Sequence, residues 1–148
     1  MSLSATDPRI IAFFQRISIP VARISLFVVF FWFGLLKVIG LSPAGALVQS
    51  LEQQMLPFIP FGIFYISFGI LECAIGIMLI VKGLERIVIP FLFLHMLTTF
   101  LPLFLLPQET WQAFLVPTLE GQYIIKNLCL IAVAIGIAAH LHPLSKKN

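Results

Sequence analysis

FGIFYISFGILECAIGIMLIV, residues 61–81, is an apolar run interrupted by one carboxylate, Glu72. About twenty apolar residues in a helix rise roughly 30 Å, the thickness of a bilayer's hydrocarbon core. Gly62, Gly69, Gly76 and Gly83 fall seven residues apart, which keeps them on one helix stripe. Small residues on one stripe let another helix approach closely in lipid. Glu72 lies three residues after Gly69 and four before Gly76, so the spacing predicts it on that packed seam, near the bilayer midplane. An acid at such a depth costs about 2.5–3.5 kcal/mol on insertion scales, so it must face protein or water. Two readings stand for it. One is a proton site, ligand contact or polar clasp; the other is a protonated Glu whose hydrogen bond locks the bundle.

Working outward, the whole chain has the same character. Its 148 residues are 60% hydrophobic and 10% charged, with a mean hydropathy of +1.08. An ordinary soluble domain carries about 25% charged residues. The sequence therefore predicts an all-α, polytopic membrane protein. A single membrane domain forms a bundle of four transmembrane helices, with short amphipathic surface helices. The net charge of +3 belongs to membrane topology before it belongs to nucleic acid, and no basic patch with interleaved aromatics points to a nucleic-acid partner. Cys73 and Cys129 both fall inside apolar spans and neither belongs to a C-x-x-C, so no disulfide framework or dithiol centre is expected. The early apolar run lacks the short h-region and small-residue site of a cleavable signal peptide.

The chain taken in order divides as follows. Thr6, Asp7 and Pro8 make a helix-start signal. Ile10, Ile11, Phe13, Phe14 and Ile17 then suggest either a short amphipathic surface helix or the wet first turns of the first span. Pro20 marks a kink or boundary. The first span covers about 21–39, with Arg16, Arg23, Phe30 and Lys37 seven apart; Arg23 is expected to snorkel at one end. Ser42 and Pro43 start a second amphipathic helix, with Leu47, Val48, Leu51 and Met55 on one side and Gln49, Glu52 and Gln53 opposite. The second span covers 61–81. After the charged turn KGLER (residues 82–86), the third span covers about 87–106, bent at Pro90 and Pro102. Its His95, Thr98, Thr99 and Pro102 share a face. Residues 107–122 form a second connection, with Trp111 at interface depth. The fourth span covers about 123–141, with Lys126, Cys129, Val133, Gly136 and His140 on one face. The tail holds His142, Pro143, Lys146 and Lys147.

The basic residues set an expected orientation. Arg9, Arg16, Arg23, Lys82, Arg86, Lys146 and Lys147 lie toward one side; only Lys37 and Lys126 lie toward the other. The positive-inside rule then makes both termini cytoplasmic, and the short KGLER turn makes the second and third spans antiparallel neighbours.

Each span contributes one polar stripe, and stripes that avoid lipid must meet. The candidate ligand or proton seam is Lys37, Tyr65, Glu72, His95, Thr98, Thr99 and Lys126. Depth sharpens the pairing. At 1.5 Å per residue, Lys37 lies about 6 Å and Glu72 about 16 Å inside the outer edge. Side chains lean toward their helix N-terminus, so Lys37 leans inward and Glu72 outward, toward each other. Lys126 leans toward the outer mouth. The alternative is that both lysines merely anchor the outer interface. His95, about 13 Å from the inner edge, is a proton relay, a metal or haem ligand, or a satisfied core histidine. Haem is disfavoured because His140 and His142 do not match its depth. No cluster has metal-ligand spacing, and there is no Ser–His–Asp set or phosphate loop.

The run Phe31-Trp32-Phe33-Gly34-Leu35-Leu36-Lys37 resembles the aromatic-Gly-x-x-Lys segment of the DoxX-like superfamily. More narrowly it resembles the branch holding the inner-membrane protein of the bacterial reactive-chlorine resistance system. Gly69-Ile70-Leu71-Glu72 with Ile75-Gly76 is similar to that branch's second span, and Gly121 to Leu128 (GQYIIKNL) to its Gly-x-x-x-x-Lys-Asp/Asn stretch. The branch often carries Arg where Gln122 stands and Asp where Asn127 stands, and its first outer loop is usually longer. The resemblance implies a four-helix protein of the bacterial inner membrane, some relatives of which work near redox enzymes, quinone oxidation or oxidative-stress defence. Lys37, Glu72 and Lys126 carry over by position. Three functions follow as expectations: an accessory subunit in stress or redox defence, a small proton-coupled transporter, or a quinone-linked membrane oxidoreductase. Candidate ligands are a quinone or a lipid. Candidate partners are the lipid bilayer, a redox protein, or a second copy through aromatic faces of the first and third spans.

Overall fold

The computed structural model describes residues 3–141. His142, Pro143, Lys146 and Lys147 therefore lie outside the described residues. Four helices are long and apolar enough to cross a membrane, covering Asp7–Val38, Phe61–Ile80, Glu85–Leu105 and Leu119–Ala139. The all-α bundle expected from composition and hydropathy is the observed fold.

Helix α1 (Leu3–Val38) runs without interruption. No separate surface helix ends at Pro20, and the start expected at Thr6 to Pro8 lies inside the helix. Pro20 removes one backbone donor, but Pro20 and Arg16, four residues before it, are both exposed, so the freed carbonyl has solvent or headgroups at hand. Helix α2 (Gly45–Met55) lies against the helix Phe61–Ile80 and the short helix Pro102–Leu105, and Ser42 Oγ accepts from Ala44 N at 3.4 Å before it begins. Its expected faces hold in part: Leu47, Val48 and Leu51 are half-buried and Gln49 and Gln53 exposed, but Glu52 is buried and Met55 exposed, the reverse of what the spacing predicts. Gly45 lets α2 rest on Tyr65, and two turns later the same face carries Glu52 inward.

Helix α3 (Phe61–Ile80) packs most extensively on α1. The contact is backbone to backbone. A Cβ on Gly34 would lie 2.6 Å from Gly69 O, and one on Gly76 would lie 2.8 Å from Phe31 N. Cys73 Sγ donates to Phe31 O at 3.5 Å within this contact. The predicted glycine stripe is used only in its middle, since a Cβ on Gly62 or Gly83 meets nothing within 4 Å. Gly83 instead serves the turn, where its φ of +92° favours a residue without a Cβ.

That turn leads to α4 (Glu85–Phe100), antiparallel to α3 as the short connection predicts. Arg23 reaches the end of the bundle, as its position predicts, and is bonded there. Its Nε donates to Leu79 O at 2.8 Å and its Nη1 pairs with Glu85, tying α1, α3 and α4 together at this basic end. Pro90 is carried inside α4, but Pro102 ends it and starts α5 (Pro102–Leu105). The segment expected as the second connection holds α6 (Pro107–Thr110) and a small antiparallel hairpin, β1 (Trp111–Ala113) with β2 (Val116–Pro117). Trp111 Nε1 donates to Leu103 O at 2.9 Å. Thr118 then caps α7 (Leu119–Ala139), its Oγ1 accepting from Gly121 N at 3.1 Å, so this helix starts four residues before the expected span.

The apolar core fills the half of the bundle nearer the basic turn. Leu26 and Phe30 of α1, Ile75 and Leu79 of α3, Val88, Leu92 and Met96 of α4, and Ala134 and Ile137 of α7 form one cluster. The buried charged groups lie on the other side of this layer, toward α2.

Candidate functional site: an intramembrane Lys–Glu–His clasp

Three helices each bring one ionisable side chain to the same point. Lys37 comes from the last turn of α1, where the helix C-terminus favours a cation. Glu72 comes from the middle of α3, between the two glycines that press α3 onto α1. His95 comes from α4, one turn beyond Leu92 of the core. Lys37 Nζ donates to Glu72 Oε2 at 2.6 Å, and His95 Nε2 stands 3.3 Å from Glu72 Oε1. The Lys37–Glu72 contact is the pairing predicted from helix direction and depth. Both carboxylate oxygens are thus engaged, one by an amine and one by an imidazole.

The site is closed. Lys37 and Glu72 are each 6% exposed and His95 is 4% exposed. Phe30 meets the His95 ring edge-on at 5.5 Å between centroids, and Phe68 lies at 4.8 Å from it. Phe68 also has Lys37 Nζ 5.8 Å from its ring centre, so one aromatic side chain touches both of the carboxylate's partners. Such walls strengthen every charge interaction inside them and make an unpaired charge costly.

Among the described residues, two polar atoms nearby have no hydrogen-bond partner: His95 Nδ1 and Tyr65 Oη, both buried. Tyr65 lies two turns from Glu72 on the same face of α3 and stacks on Phe61 at 5.0 Å. Gly45 of α2 sits over it, a Cβ there lying 3.6 Å from Tyr65 Oη. Gly45 of α2 thus covers the Tyr65 end of the polar face of α3.

The remaining expected members are not in the clasp. Thr98 Oγ1 donates to His95 O at 2.7 Å and Thr99 Oγ1 to Met96 O at 2.8 Å. These are bonds back to the preceding turn, beside the break at Pro102. Lys126 is exposed, with Nζ 4.9 Å from the Tyr123 ring centre. Cys129 and His140 on the same stripe are exposed as well. The inward side of α7 is Gly121, Ile124, Ala134 and Ile137. The expectation that all four polar stripes converge is thereby corrected: α7 supplies none of the clasp, because its apolar side is complete enough to pack alone. His140 Nδ1 instead lies 2.8 Å from Gly136 O at the helix end. Among the described residues no group of three or more His, Cys, Asp or Glu could hold a metal ion.

Glu52 and Thr110 are buried groups that sequence reasoning missed. For Thr110 a signal existed, since it precedes a Trp and follows Pro107 by one helical turn. Its Oγ1 donates to Leu106 O at 2.9 Å and lies 3.3 Å from Pro102 O. Comparison with protein-family models, curated proteins and solved structures finds no match to this chain.

Proposed function

We propose that this chain is a DoxX-like accessory subunit of the bacterial inner membrane, with both termini cytoplasmic, acting in redox or oxidative-stress defence. One observation carries this reading. The intramembrane carboxylate spends both oxygens on partners from its own chain, Lys37 and His95, so the charges hold the bundle together and do not confront a substrate. The polar groups of α7 point the other way. Lys126 and Cys129 are exposed, and they offer a partner membrane protein a cation and a thiol on the outer surface of the bundle. Affinity isolation of the tagged chain from native membranes in mild detergent tests it. A membrane redox protein should co-isolate, and Lys126→Leu should reduce its yield at unchanged expression. Isolation of the chain alone after cross-linking in intact membranes contradicts the reading.

A second reading, a small proton-coupled transporter, has its own support in His95 Nδ1 and Tyr65 Oη. Among the described residues these are two buried groups without hydrogen-bond partners, one of them under Gly45 of α2, and buried polar atoms of this kind are commonly served by water. In proteoliposomes carrying a pH gradient, Glu72→Gln should abolish proton flux while the variant folds as the parent does. Equal flux from both proteins excludes this reading.

A further inference from the structure

The basic end of the bundle carries a second, separate site. Between α1 and the end of α3 lies an open groove of about 270 Å³, lined by Ile19, Pro20, Arg23, Ile24, Ile80 and Lys82. Its walls are apolar and its polar groups are two cations. Arg23 pairs with Glu85, and the adjoining turn carries Lys82 and Arg86. Arg23 is held rigidly, with Nε on Leu79 O and Nη1 on Glu85. Lys82 is exposed at the mouth. An ammonium at the mouth backed by a fixed guanidinium suits a phosphate group. The position of the groove selects the source of that phosphate. It opens where the span Phe61–Ile80 ends, at headgroup level, and its rim continues into the exposed apolar side chains Val21, Ile24 and Ile80. A soluble phosphate gains nothing from those walls, whereas the glycerol and first methylenes of a lipid do.

We infer that this groove binds the phosphate of an anionic phospholipid in the leaflet that meets the basic end, through the Lys82 ammonium with the Arg23 charge behind it. Basic pockets between spans are a recurrent form of lipid headgroup recognition. The inference does not depend on which side of the membrane that end faces, nor on the function proposed above.

Lys82 is the informative position, because Arg23→Gln also cuts the ties to Leu79 and Glu85. Delipidated protein in a neutral detergent would be titrated with phosphatidylglycerol or phosphatidylcholine and bound lipid counted by native mass spectrometry. Phosphatidylglycerol should bind more tightly than phosphatidylcholine. Lys82→Gln should weaken it about five-fold, the effect of one basic residue near an anionic headgroup. Lys82→Arg should restore binding, and Lys126→Gln at the other end should leave it unchanged. Equal binding of the two lipids, or no loss in Lys82→Gln, overturns the inference. Competition by inorganic phosphate as effective as by lipid overturns it too, since the site would then take a free anion.

Discussion

At the scale of single residues the protein depends on Glu72. A carboxylate within a membrane span is tolerated only when its charge is answered, and here Lys37 answers one oxygen and His95 the other. Removing one partner of a buried pair leaves the other charge stranded, which costs about 3–5 kcal/mol, whereas replacing both with apolar groups of similar size can be nearly neutral. Lys37→Met should therefore destabilise the protein by about that amount, and Lys37→Met combined with Glu72→Met should recover most of it. Unfolding in detergent micelles measures both. Additive losses in the double variant would mean that the two side chains do not share one interaction. His95→Phe should cost less, about 1–3 kcal/mol, the penalty for one unsatisfied acceptor. Lys37 and Glu72 could be paired from the sequence because helix direction and depth set where each side chain leans. His95 could be placed at a similar depth but not assigned, because an apolar helix with one imidazole has no periodicity that singles out its neighbour.

At the scale of elements the decisive contact is α1 on α3. Gly34 and Gly69 put two backbones against each other, so a Cβ at either meets backbone atoms within 3 Å. Gly69→Leu should separate the helices, move Glu72 away from Lys37 and lower the unfolding temperature sharply. Gly62→Leu, on the same stripe but facing open space, should change it little. Thermal unfolding of the two variants side by side gives the comparison; similar losses would refute the contact. The seven-residue glycine spacing reveals the stripe but not how far along it the partner helix runs. Likewise, Lys126 and Cys129 share a face with Gly136 by spacing alone. Periodicity identifies a face without saying whether it turns inward, and on α7 the inward side is Ile124, Ala134 and Ile137. Pro20 was legible as a breaker, yet α1 continues because the freed carbonyl is at an exposed position.

At the scale of the whole molecule, charge is distributed by end. Arg23, Lys82, Glu85 and Arg86 mark one end of the bundle, while α2 and the 111–117 hairpin mark the other. The four spans were readable because apolar runs of about twenty residues are unambiguous in lipid. The hairpin was not, because no Asn-Gly or Asp-Gly pair marks its turn; Phe114 and Leu115 form its tip, where Leu115 takes a positive φ of 59°. If the positive-inside rule governs orientation, a cysteine introduced as Lys82→Cys in a Cys129→Ser background should react with an impermeant maleimide only from the cytoplasmic side. Gln49→Cys on α2 should react only from the opposite side. Labelling of both from one side would contradict a four-span path.

The intramembrane clasp itself is most directly tested by a distance measured in bilayers. Solid-state NMR dipolar dephasing between 15Nζ of Lys37 and 13Cδ of Glu72 should report a separation of roughly 3–4 Å, as a direct amine–carboxylate hydrogen bond requires. Its loss in Lys37→Met would assign the signal. No dephasing in the folded, membrane-embedded protein would contradict the account.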